Sequence, residues 1–199
     1  MRPFLFAALG LLTACGDQAA VSPVVDFVAE ANSCFANKQG EDCAAVSLYY
    51  TPRRWRAEWI IAGKRTTHIF DAGERTFTTI RHAEKQFYVD RFDAVRDTAL
   101  APFLPPLLLG ERVGEETVGG RRTVKYRFAL SGRSGETPSE TSRWLTAENI
   151  VVRSESTAHP KGDVWITRME ATRLAIGPVS ATQLDSPIPP DFRRVDALK

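Results

Sequence analysis

The sequence predicts an α+β fold that is mainly antiparallel β, and three observations predict it. Apolar and polar residues alternate from Arg54 onward, turn residues interrupt that alternation roughly every ten residues, and the stretch before it shows helical spacing instead.

The N-terminal stretch offers Ser22-Pro23 as an N-cap and first helical position. Val24, Phe27, Val28, Ala31, Cys34 and Phe35 then recur at helical spacing, with Gly40 as the stop. A second short helix is expected over 42–48, which would return Cys43 against Cys34 as a helical hairpin capping the domain over 23–50.

From Arg54 the period is two. Strands are expected over 54–61, 65–71, 75–82 and 86–90, with turns at Gly63-Lys64 and Ala72-Gly73-Glu74, which makes an antiparallel meander and not a βαβ unit. Residues 93–109 break the pattern. The first part, 93–100, has a helical composition, and prolines 102, 105 and 106 then forbid a regular helix or central strand. What remains is a stiff loop carrying Phe103, Leu104, Leu107, Leu108 and Leu109, which either folds inward as a plug or acts as a gate or lipid contact. Strands resume after Gly119-Gly120, over 123–130, 142–147, 150–156 and 164–176, and the proline-rich tail 184–192 is expected to run extended along an edge.

A chain of 199 residues fits one domain with a short leader, and 43% hydrophobic with 25% charged residues is ordinary globular composition. The net charge of +2 is near neutral and argues nothing strong about partners; no nucleic-acid partner is expected. Basic pairs such as Lys64-Arg65 and Arg121-Arg122 read as solvated faces, with contact to anionic lipid headgroups as the alternative.

Residues 1–14 read as a secretory leader: Arg2 supplies the positive start and Phe4 to Leu12 an apolar run too short to span a bilayer. Leu12-Thr13-Ala14-Cys15 resembles a bacterial lipobox. That resemblance implies cleavage before Cys15, acylation of its thiol, a tether over 15–22 and one domain over 23–199 held close to a membrane. Gly16 follows Cys15 where an inner-membrane retention signal would place aspartate, so the resemblance implies the outer membrane, facing the periplasm; Asp17 keeps the inner membrane as the alternative. With Cys15 lipidated, Cys34 and Cys43 are left as one pair in an oxidising compartment, and a structural disulfide is expected.

The order of elements resembles the outer-membrane lipoprotein-carrier superfamily over residues 54–192. The segments that carry the likeness are Gly-Lys-Arg-Thr-Thr-His-Ile-Phe-Asp71, Lys-Gln-Phe-Tyr-Val89, Gly114-Glu-Glu-Thr-Val-Gly-Gly-Arg-Arg-Thr-Val124, Arg143-Trp-Leu-Thr146 and Leu184-Asp-Ser-Pro-Ile-Pro-Pro-Asp-Phe192. The resemblance implies a curved, incomplete antiparallel barrel, a half-barrel covered by helices, with an apolar hollow that takes a lipid, acyl chain or lipoprotein. The disulfide-linked hairpin departs from that pattern. Large residues expected on one strand face include Trp55, Trp59, Ile61 and Phe77, then Phe87, Tyr126, Phe128, Trp144 and Trp165. Trp55, Trp59, Phe103, Leu104, Leu107, Leu108 and Leu109 are the expected ligand contacts, against the plainer alternative that each fills a core.

Enzyme signatures fail. His68, His82 and His159 stand in no metal-ligand spacing, His82-Ala-Glu84 lacks the Pro-Cys-x-x-Cys of a zinc deaminase, and Gly132-Arg-Ser134-Gly135 is one residue short of a nucleophile elbow. No enzyme activity, cofactor or metal is expected. Two readings compete with lipid binding: a non-enzymatic scaffold with a filled core that docks on an envelope protein, and a hydrolase of unknown type.

Overall fold

The computed structural model describes residues 18–19, 22–91, 103–105, 108–130, 139–160 and 163–196. Its main element is one twelve-stranded sheet built from two meanders. The first runs through β2 (Phe27–Asn37), β3 (Gly40–Tyr50), β4 (Arg54–Ile61), β5 (Lys64–Asp71), β6 (Thr76–Arg81) and β7 (Gln86–Arg91). The second runs through β9 (Glu111–Val118), β10 (Arg121–Leu130), β11 (Ser139–Leu145), β12 (Val151–Ala158) and β13 (Trp165–Ile176). They meet where β13 pairs antiparallel with β2, and β14 (Arg193–Arg194) adds a parallel edge strand to β7. The sheet is open, with β9 and β14 at its two edges, consistent with a half-barrel. A separate two-stranded ladder pairs β1 (Gln18–Ala19) with β8 (Leu108–Leu109).

The turns follow from local chemistry. Ala62 and Gly63 have φ of 47° and 76°, and Gly119 and Gly120 have 55° and 76°, so both two-residue loops have the positive φ at both central positions that matches the twist of paired strands. The strands expected over 54–61, 65–71, 75–82, 86–90, 123–130, 142–147, 150–156 and 164–176 all appear, with ends displaced by up to three residues.

The N-terminal helical hairpin does not. Residues 27–37 and 40–50 are two eleven-residue strands in continuous register from Phe27↔Tyr50 to Asn37↔Gly40. The apolar spacing read as 3.6 also holds a period of two, Phe27, Ala29, Ala31, Ser33 and Phe35, whose middle members are too small to stand out. Alanine and glutamate are good helix formers, but intrinsic propensity amounts to little beside tertiary context, and pairing on both sides of β2 and β3 overrides it. The helical cover is corrected as well: the one helix among the described residues is α1 (Ala181–Leu184), and residues 93–100 lie outside them.

Cys34 and Cys43 are bonded, and they are direct cross-strand partners. Their Cα atoms are 4.0 Å apart, which belongs with the closer, non-hydrogen-bonded class of antiparallel pair. The bond therefore pins the register of β2 on β3. Replacing both cysteines with serine is expected to remove about 2.5 kcal/mol in urea unfolding, the loop-closure value for a ring of this length, with circular dichroism unchanged.

One face of the sheet, the inner face, holds the core. Phe27, Ala29, Val46, Leu48, Trp55 and Ala57 of the first meander join Leu145, Val151 and Met169 of the second in one buried cluster. The space that the short side chains leave is taken by groups from outside the strands, Phe103 and Ile150, both fully buried. The outer face is crossed by the C-terminal segment as a strap. Ser180 and Gln183 form a capping box on α1, the carbonyl of Asp185 accepts from Arg56 at 2.7 Å, and Phe192 meets the ring of His82 edge-on before β14 joins β7. The edge packing expected of 184–192 is thus corrected: that stretch crosses the outer face, the edge strand follows it at Arg193–Arg194, and beneath the strap Thr67 and Ile80 have no exposure.

Candidate ligand-binding face

Register defines what each inner-face position can do. The deepest row crosses β2 to β6 through Phe27, Tyr50, Trp55, Phe70 and Phe77. These rings touch, with centroids 4.9 Å apart for Phe27 and Tyr50, 5.6 Å for Trp55 and Phe70, and 5.9 Å for Trp55 and Phe77. The Tyr50 hydroxyl donates to the carbonyl of Pro23 at 3.0 Å, and burial, then the charge of Asp26, pushes its pKa up to about 12.

The next row is Ala29, Leu48, Ala57, His68 and Thr79. The His68 ring stacks on Phe77 at 5.5 Å, and its Nδ1 shares a hydrogen bond with Thr79 Oγ1 at 3.0 Å. Burial, and secondarily the Arg81 guanidinium, lowers its pKa to about 4, so the imidazole is neutral.

Beyond it the face opens. One row carries Val46, Trp59, Thr66 and Arg81, and the next carries Ala44, Ile61 and Lys64. Exposure climbs from 5% at Trp55 to 53% at Ile61. At the rim Phe35 and Trp165, exposed at 37% and 43%, meet edge to face at 5.7 Å. Large apolar side chains thus recur on this face from a dry core to a wet rim. Scattered exposed apolar residues are ordinary, but a contiguous set opening from a core is a feature of binding surfaces.

The outer face differs. Trp144, packed with Val118 and Val152, donates its indole N–H to Glu116 at 2.8 Å and lies under the cations of Lys125 and Arg153. An open groove of about 780 Å³ between β2, β12 and β13 is lined by Asn32, Cys34, Arg153, Glu155, Arg168 and Glu170. Arg153 is ion-paired there with both Glu155 and Glu170, so the groove is polar and largely self-neutralised.

The residues singled out from sequence divide accordingly. Trp55 and Phe103 are buried in the core, with Leu104 and Trp59 packed against it. Phe103 is anchored through its carbonyl, which accepts from Val151 N–H at 2.8 Å. Leu108 and Leu109 lie in the small ladder with Gln18 and Ala19, away from the large sheet's register, whereas Cys15 and Leu107 lie outside the described residues. The single strand face expected for the large residues splits in two. Trp55, Trp59, Ile61 and Phe77 are inner by register, and Trp165 meets inner-face Phe35, but Phe87 pairs with Ile80 and Trp144 with Arg153 on the outer side. Phe35, Lys64 and Arg81 were not among the expected contacts. Phe35 was hidden by the helical reading, and the two cations have no signal until register puts them beside Trp59 and Ile61.

Together these features define an open antiparallel half-barrel sheet with an apolar inner face. An uncharacterised conserved protein from Thermus thermophilus matches it with a TM-score of 0.54 at 15% identity, over 87% of this chain and 91% of that one, and this likeness shows the fold. A putative outer membrane lipoprotein-sorting protein domain from Vibrio parahaemolyticus has a TM-score of 0.35 at 8% identity, over 81% and 89% of the two chains. A DUF1329 family protein from Desulfovibrio piger has a TM-score of 0.37 at 10% identity, over 81% and 92%. No family model and no curated protein matches the sequence.

Proposed function

We propose that this chain is a lipid-anchored envelope protein that holds an acyl chain or lipid against the inner face of its open sheet. The observation that supports this reading is the apolar path from the buried Trp55 row past half-buried Trp59 to exposed Ile61, Phe35 and Trp165. Such a path gives an acyl chain a dry end and an entrance, and each buried methylene contributes about 0.8 kcal/mol. Anchoring through Cys15 on the periplasmic side of the outer membrane is part of the same proposal. It rests on the lipobox-like Leu12-Thr13-Ala14-Cys15.

A second reading, a scaffold with a filled core, is favoured by one specific feature: Phe103, from outside the strands, is fully buried in the core. Mass spectrometry of solvent extracts from the purified protein separates the two. Lipid at a stoichiometric level supports binding, and extracts free of lipid from both membrane-derived and Cys15→Ser protein leave the scaffold. Cys15→Ser is further expected to move the protein from the membrane to the soluble fraction or to block its processing; unchanged fractionation would remove the anchor from the proposal.

A further inference from the structure

The inner face changes character halfway to the rim. The deep rows are largely aromatic and aliphatic, but the Trp59 row runs through Thr66 to Arg81 on β6 and Gln86 on β7, and the neighbouring row ends on β5 at Lys64, the direct partner of Ile61. Adjacent strands lie about 4.8 Å apart, so Trp59, Lys64 and Arg81 occupy one patch roughly 10 Å across. All three present donors and none an acceptor at their side-chain ends. The indole N–H of Trp59 is buried with no acceptor, and neither Lys64 nor Arg81 forms an ion pair among the described residues. Elsewhere Lys38, Arg54, Arg56, Lys85, Arg112, Arg122, Lys125, Arg127, Arg153 and Arg173 each have a carboxylate partner, whereas these two cations face an apolar surface without one. By register, the acids that the first meander puts on this face are Asp42, beside Phe35 at the rim, and Asp90, beside Phe77 at the deep end. Neither shares a row with Lys64 or Arg81.

A surface that is apolar on one side and cationic on the other is complementary to an amphiphile of one charge type. We propose that the ligand of the inner face is a single acyl chain with an anionic headgroup, the chain lying along Trp59, Ile61 and Phe35 and the anion held by Arg81 and Lys64. This rests on the acyl-binding reading above and names the ligand class within it. A guanidinium and an ammonium bind a phosphodiester through charge-assisted hydrogen bonds, and beside the low-dielectric wall of Trp59 those bonds are screened less than in water.

Two lipids with the same oleoyl chain, lysophosphatidylglycerol (net anionic) and lysophosphatidylcholine (zwitterionic), separate the headgroup from the chain. Titrated below their micelle concentrations and followed by tryptophan fluorescence, the anionic lipid is expected to bind about tenfold or more tightly. The preference is expected to shrink as salt rises. Arg81→Gln with Lys64→Gln should bring the two affinities together, and Arg81→Lys with Lys64→Arg should restore most of the gap; melting curves verify that each variant is folded. Equal affinities in the unsubstituted protein would overturn the headgroup assignment while leaving acyl binding intact. A preference that survives the double glutamine variant would overturn the roles of Arg81 and Lys64. If neither lipid binds, the acyl-binding reading itself fails, and this inference with it.

Discussion

Phe103→Ala is expected to cost about 3–5 kcal/mol, because a ring with no exposure leaves a cavity that the paired strands around it cannot close. For a chain of this size each kcal/mol moves the thermal midpoint by about 2–4 °C, so the loss should be plain in a melting curve. The side chain comes from an irregular segment between prolines, tied to the sheet by the bond from Val151 N–H to the Phe103 carbonyl. The substitution also bears on function. If the ring only fills space, Phe103→Ala destabilises the fold and leaves lipid affinity alone; if it is displaced when a chain enters, Phe103→Ala binds the chain more tightly while melting earlier. An unchanged midpoint would show that the Phe103 site collapses without cost.

Acidification should weaken the protein through His68. Its folded pKa of about 4 lies below the ordinary value near 6.5, so the fold favours the neutral ring and the unfolded chain binds the proton more readily. The stability tied to that difference is complete above about pH 6.5 and is lost as pH falls toward 4, reaching on the order of 3 kcal/mol. His82, beside Arg65 and Thr67 under the strap, is shifted in the same direction and adds to the slope. The contribution of His68 is isolated by His68→Gln, which can still bond Thr79 but does not charge. Urea midpoints measured between pH 4 and 7 should fall less steeply for that variant, and parallel slopes would assign the pH dependence elsewhere.

How much of this could be read from the sequence depended on polarity contrast. Strands β4 to β7 and β10 to β13 alternate against water or a polar neighbour and are bounded by turn residues, so period two shows plainly. Strand β9 was missed because as an edge strand nearly all its positions are exposed, and Glu111 to Val118 offers no alternation to detect. The first two long strands were misread for the opposite reason. Their inner positions are partly alanine, chosen to leave room for Phe103 and Ile150, and alanine is the residue whose presence says least about period. At the candidate site, Trp59, Ile61 and Trp165 were legible as large residues of a sheet face. Lys64 and Arg81 were not, since a charge has meaning only beside its neighbours, and those are set by pairing between β4, β5 and β6.

The joining of β2 to β13 has a consequence for how the chain comes to be folded. Thr172 on β13 bonds the carbonyl of Glu30 on β2 across 142 residues of sequence, and the whole ladder between them closes a loop of that order. The two meanders can form from local turns in microseconds to milliseconds, but the ladder that unites them waits on the last long strand to arrive. Until then β2 is an eleven-residue strand with one side open, the kind of edge that invites pairing with another chain. The nascent molecule is therefore most exposed to misassembly at its beginning and is relieved of that hazard only near its end. A truncation that spares every inner-face residue of the first meander but removes β13 would leave a complete hairpin stack with its most adhesive edge uncovered.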